Sequence, residues 1–146
     1  MMFEHEDGQP VMILDTEQCW TLLGRTHHGR IALSVAGNVD IVPVNHAAHE
    51  GKLYFRTAPG NKLAGLTINP TVAFESDGIL SDQAWSVVVR GTARVLETEA
   101  EIELARAAGV RPWVQTLKDT WVEITPREVT GRHFLLGNQP EQLDES

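Results

Sequence analysis

Alternating apolar and polar positions dominate this chain, and long helical stripes are scarce. Ile31, Leu33 and Val35 alternate with Ala32 and Ser34, the period of a strand with one buried face. Gly37-Asn38 supplies a two-residue hairpin turn, and residues 39–46 return as a second strand. Glu50-Gly51 turns the chain again into a strand over 52–57. Further strands are predicted at 71–76 and 85–96, with a polar loop at 77–84 between them. The longest places Trp85, Val87, Val89, Gly91, Ala93 and Val95 on one face. Two last pieces, 121–125 and 128–134, are separated at Pro126. Helices are predicted at 15–23, at 61–68 ending before Asn69-Pro70, and at 99–108 with Gly109 as its stop. Asp15 with Gln18, and Thr98 with Glu101, have capping-box spacing. Residues 25–29 are a breaker-rich link. Six or seven strands at hairpin spacing with three short helices predict a mainly β fold, a small closed antiparallel barrel. Strands do not alternate with long helices, which argues against a doubly wound nucleotide fold.

Composition narrows the function classes. A chain of 146 residues makes one domain with a sizeable core. Acidic residues gather at the ends, so residues 1–14 and 135–146 are expected to be flexible tails around a domain at 15–134. A formal charge of −8 argues against a nucleic-acid partner, because a phosphate backbone demands a basic footprint. No apolar run approaches the ~20 residues that cross a bilayer. The polar, acidic start is the reverse of a secretion signal, and the single Cys19 has no internal disulfide partner; a cytoplasmic protein is expected. Cys19 is read as a buried, inert thiol beside Trp20.

Candidate chemistry concentrates at 55–63, F-R-T-A-P-G-N-K-L, a strand running through a turn into a helix. Arg56, Thr57 and Lys62 together with the free amides of a helix start could trap a phosphate. Lys62 is followed by Leu63, so the P-loop pattern of a nucleotide hydrolase is absent. The simpler reading is a surface turn with a few basic residues. Pro43 interrupts the apolar strand at 39–46 and cannot donate to a ladder. The peptides of 42–45 are therefore read as facing either a planar heterocycle or plain solvent at an edge. His27, His28, His46 and His49 are best read as solvated loop residues, because no zinc-type spacing accompanies them. Glu75 and Asp77 have the look of an acid pair, but carboxylates at strand ends are common. No G-x-S-x-G elbow is present.

Taken in order, G-R-I-A-L-S-V, D-I-V-P-V-N, F-R-T-A-P-G-N-K-L, V-A-F-E-S-D-G, W-S-V-V-V-R-G-T-A-R-V and W-V-E-I-T-P-R-E-V-T-G-R resemble the pyridoxamine 5′-phosphate oxidase-like flavin-binding split-barrel family. The resemblance spans residues 15 to about 133. It implies a Greek-key split barrel and a homodimer with flavin mononucleotide (FMN) at the subunit interface. It implies that Arg56, Thr57, Asn61 and Lys62 hold the phosphate, and that Val42, Pro43, Val44 and Asn45 line the flavin ring through backbone groups. Trp85 and Ser86 match residues that the family brings from the partner subunit. Alternatives within the resemblance are a deazaflavin cosubstrate and a non-enzymatic flavin or haem module. The vitamin oxidases grip their substrate with an Arg-x-His pair near the C-terminus, whereas here Arg132 and His133 are adjacent. The resemblance thus implies an oxidoreductase acting on another substrate.

Overall fold

The computed structural model describes residues 2–57, 66, 68–110 and 120–137. The order of elements is a short 3-10 turn (Glu6–Gly8), β1 (Val11–Leu14), α1 (Thr16–Arg25), β2 (His28–Val35), β3 (Asn38–His49), β4 (Lys52–Thr57), β5 (Thr71–Ile79), β6 (Gln83–Val95), α2 (Glu99–Ala107) and β7 (Thr120–Leu135). All strand pairings are antiparallel, in the order β1-β7-β4-β3-β2-β5-β6, and β6 pairs back with β7 to close the ring. The run β5-β2-β3-β4, with β5 returning beside β2, is a Greek key.

Both early hairpins have two-residue turns with positive φ at each central position, the handedness that matches strand twist. The first turn is Ala36-Gly37, one residue earlier than the sequence pattern places it, because Val35 pairs with Asn38. Ala36 accordingly sits at φ 51, where a side chain costs ~1 kcal/mol or more. The second is Glu50-Gly51, as expected. The expected loop at 77–84 is far shorter: β5 runs to Ile79 and β6 starts at Gln83. Trp85 permits this, since Gly78 opposite it leaves room for the indole; a Cβ there would lie 2.5 Å from Nε1.

The expected break at Pro126 is absent. β7 passes through it as one strand, and a bulge between Arg90 and Gly91 absorbs the irregularity. Gly91 is required there, because a Cβ would lie 2.1 Å from the Thr125 carbonyl oxygen. The N-terminus also differs from the expected tail: Val11–Leu14 pairs with β7 as β1, and Met2 and Phe3 pack against the core. Most of the helix expected at 61–68, and residues 138–146, lie outside the described residues.

The core fills the barrel. Ile31, Leu33, Val44, Leu53, Phe55, Val72, Phe74, Trp85, Val87, Val89, Val122 and Ile124 are buried together, and α1 adds Cys19, Leu22 and Leu23. Both predicted capping boxes form, Asp15 with Gln18 and Thr98 with Glu101. The face of β6 that reads as apolar in sequence is therefore barrel interior: Val87 and Val89 are fully buried. A smaller cluster beneath α2 joins Ala47, Tyr54, Leu96, Ala105 and Trp121 on the outside of β4 and β7. Among the described residues no helix is long and apolar enough to cross a membrane.

Candidate functional site

Among the described residues, one ladder of the barrel ends early. β3 and β4 pair only from His46↔Phe55 to His49↔Lys52, although β3 continues back to Asn38 and β4 on to Thr57. The His46 amide donates to the His27 carbonyl at 3.0 Å. This fixes the ladder: even-numbered residues of β3 direct their peptide groups to β2, and odd-numbered ones away from it. Pro43 is odd, so its missing donor costs the β2–β3 ladder nothing, and the odd-numbered peptides of β3 are directed to the side on which β4 pairs. Continued register would set Arg56 across from Asn45, just beyond the last pair.

Strand alternation divides the expected site residues. Val44 lies in the core and Val42 packs against it, whereas Pro43 is exposed on the outer face. By register Asn45 lies across from His28, and Asp77, Ser86 and Arg132 form an outer row across β5, β6 and β7. Ser86 lines an outer recess of about 460 Å³ with Ile13, Val88, Arg90, Thr130 and Arg132. Trp85 faces inward and is only 5% exposed, so its side chain is core. Its apolar strand face helps to fill the barrel.

Arg56 and Thr57 take opposite faces, and β4 stays paired with β7 through Thr57↔Thr120. Through Thr57 the two side chains do not share a face. Arg56 stacks over Trp121, its registered neighbour, with the guanidinium carbon 4.9 Å from the ring centroid. Arg106 of α2 approaches the same ring at 5.6 Å. Asn61 and Lys62 lie outside the described residues.

Nearby titratable groups sort by environment. His46 is 1% exposed; its Nε2–H donates to the Leu23 carbonyl at 3.2 Å, at the C-terminal end of α1. Its Nδ1 is buried without a partner and the ring packs edge-on to Phe74. Burial therefore pulls its pKa down to about 4, and the ring is neutral. This histidine caps a helix; it is neither the solvated loop residue of the sequence reading nor part of a metal cluster among the described residues. On the outer face Glu75 is ion-paired with Arg30, and Asp77 lies 3.6 Å from the same guanidinium. Burial first, then the Asp77 carboxyl, raises Glu75 to about 7 despite Arg30. Arg30 was not singled out in sequence; its register opposite both Pro43 and Glu75 is what places it beside the opening. With Ala32, Ile41, Ala73, Phe74 and Val88, Arg30 and Glu75 frame a second outer recess of about 230 Å³.

Comparisons with known proteins agree with this architecture. A candidate pyridoxamine 5′-phosphate oxidase from Corynebacterium glutamicum is 40% identical and superposes with a TM-score of 0.82, covering 90% of this chain and 98% of that one. An FAD-binding protein from Mycobacterium smegmatis is 39% identical at a TM-score of 0.75, over 86% of this chain and all of that one (100%). A Mycobacterium tuberculosis protein of no assigned function is 43% identical over 88 residues, 60% of this chain and 80% of that protein. The family model for pyridoxamine 5′-phosphate oxidase matches residues 15–133. This chain belongs to the pyridoxamine 5′-phosphate oxidase family.

Proposed function

We propose that this protein is a flavin-dependent oxidoreductase that holds FMN at the opening between β3 and β4 of a homodimer. The observation that carries the reading is the seam itself: two strands stop pairing while both run on, with Pro43 on one lip and Arg56 on the other. A planar ring with its own donors and acceptors can lie along the β3 edge, and a phosphate can meet Arg56 at the end of β4. Arg56 is pre-positioned by its stack on Trp121, so little side-chain entropy is lost on capturing an anion. Asn61 and Lys62 complete the phosphate set in this reading, and Thr57, on the other face of β4, stands apart from it. The FAD-binding relative supports a flavin, because FMN and FAD share the same first phosphate.

The bound flavin would supply the hydride chemistry. The chain's own residues bind, orient and exclude water: Val42 and Val44 anchor the β3 lip in the core, and Trp85 fixes the strand that presents Ser86 outward. Dimerisation is assigned to the outer face of β2, β3, β5 and β6. There Ile41 is 67% exposed beside Ala32, Ala73 and Val88, more open apolar surface than a lone barrel needs. Arg132 and His133 occupy opposite faces of β7, the first exposed and the second fully buried, so they cannot grip one substrate together. That favours a substrate other than the vitamin.

The test is titration of the purified protein with riboflavin, FMN and FAD, read by flavin fluorescence, with Arg56→Ala alongside. FMN or FAD should bind well and riboflavin weakly, and the variant should lose about 1.5–3 kcal/mol for the phosphorylated ligands alone. Equal losses for riboflavin would remove the phosphate assignment. A Soret band on purified protein would indicate haem instead, and binding of a deazaflavin in preference to FMN would make that the cosubstrate.

A further inference from the structure

We propose that His5 and His133 form a binding site for one proton, and that this proton clasps the turn at Glu6–Gly8 against the end of the barrel. His133 is fully buried on β7. Its Nε2 lies 2.8 Å from Gln83 Oε1 and its Nδ1 lies 2.6 Å from His5 Nε2. The other nitrogen of His5, Nδ1, lies 2.7 Å from the Gln9 carbonyl oxygen. The chain of contacts thus begins and ends on an oxygen acceptor. The amide of Gln83 is oriented independently: Oε1 accepts from the Met2 amide and Nε2 donates to Asp82, each at 3.4 Å, and turning it over breaks both bonds.

Three contacts of hydrogen-bond length need three protons, and two neutral imidazoles bring only two. The closed arrangement is complete only when the pair holds one extra proton. Its position follows from the surroundings. His133 is pushed below the usual histidine range, by burial first and then by His5, with the amino terminus acting in the same direction and Asp82 opposing. His133 is enclosed and the contact of His5 Nδ1 is exposed, so we place the extra proton at the His5 end of the chain of contacts. Glu4, Glu6 and Asp7 are the carboxylates on the same segment. Phe3 closes over His133 edge-on at 5.3 Å.

Loss of the proton has a specific consequence. His5 Nε2–H can still donate to His133, so the buried contacts persist. The Nδ1 lone pair is left facing the Gln9 carbonyl oxygen, and two acceptors at that distance repel. The turn between them has little to oppose the repulsion: Asp7 sits at φ 35, a conformation disfavoured for a residue with a side chain. The turn is closed at low pH and released as pH rises through the titration of the pair, while β1 stays paired with β7.

Nitrogen-15 NMR of the histidine rings, on the full chain from about pH 5 to about pH 8.5, tests this directly. In the closed form His5 should carry protons on both nitrogens and His133 on Nε2 alone. As pH rises His5 should become the Nε2–H tautomer with His133 unchanged. Exchange of the Gln9 amide, which is bonded to the Glu6 carbonyl at 2.7 Å, should rise at least about tenfold beyond its intrinsic base dependence. His5→Asn should remove that step. A singly protonated His5 with the turn still closed, or a step that survives in His5→Asn, would overturn the proposal. Should the variant fail to fold, the ring protonation of the unaltered chain decides alone.

Discussion

Two seams of the same barrel behave in opposite ways. β6 and β7 stay paired from Gln83↔Leu135 to Val95↔Val122, across a proline and a bulge. Among the described residues β3 and β4 pair no further than His46↔Phe55, although both strands run on. The closed seam is built from Val87, Val89, Ala93, Val122 and Ile124, inward residues of both strands in one core. Along the open seam, Pro43 has no amide to offer and β4 turns its outer residues, Tyr54 and Arg56, toward Trp121 and α2. The difference teaches that a ladder can stop without the core thinning: Val44, His46 and Phe55 beside its end are all buried.

The largest expected effect sharpens the closed side. Trp85→Ala removes a buried indole seated over Gly78 and should cost about 3–5 kcal/mol in a denaturant melt, equally with and without flavin. A loss confined to flavin affinity would show that Trp85 belongs to the open seam after all.

Next comes acid titration of His46, which stands at the junction of the two regions. Its folded pKa of about 4 lies below the 6.5 of the unfolded chain, so the unfolded state binds the proton more tightly. The stabilisation is complete above the unfolded value and should fall by about 3 kcal/mol as pH drops towards the folded one. Glu75 has the opposite sign: raised from 4.5 to about 7, it makes folding less favourable as pH rises through that window, weakly because the group is largely solvent-screened. Urea midpoints of His46→Gln against the parent chain between those limits isolate the first effect; an unchanged acid slope would refute it.

On the open side, Arg56→Lys should weaken FMN by roughly 1–2 kcal/mol while leaving the melting curve within about 0.5 kcal/mol, since an ammonium cannot reproduce the planar fork stacked on Trp121. Isothermal titration and a melt on the same sample separate the two quantities. The smallest effect on the fold is expected for Ile41→Glu, at the lip of β3: within about 0.5 kcal/mol for the monomer. Sedimentation should nonetheless show loss of the proposed dimer, and a dimer that persists would place the subunit contact on another face.

Much of this was legible in the amino-acid order. Asp15 with Gln18 and Thr98 with Glu101 set both helix starts, because a capping box is a local bargain between residues three apart. Alternation along residues 31–35 and 85–95 marked buried faces. What alternation could not say was whether an apolar face meets its own barrel or a second subunit; the face of Trp85, Val87 and Val89 is apolar in either case, and only closure of β6 onto β7 decided it. Pro126 misled for the same reason, since a bulge opposite Gly91 is a property of two strands in register and not of either alone. The pairing of His5 with His133, 128 positions apart, had no local signature at all. Capping, turns and periodicity act over a few residues and are written into the chain, whereas register, closure and the sharing of a proton between distant side chains exist only once the sheet has formed.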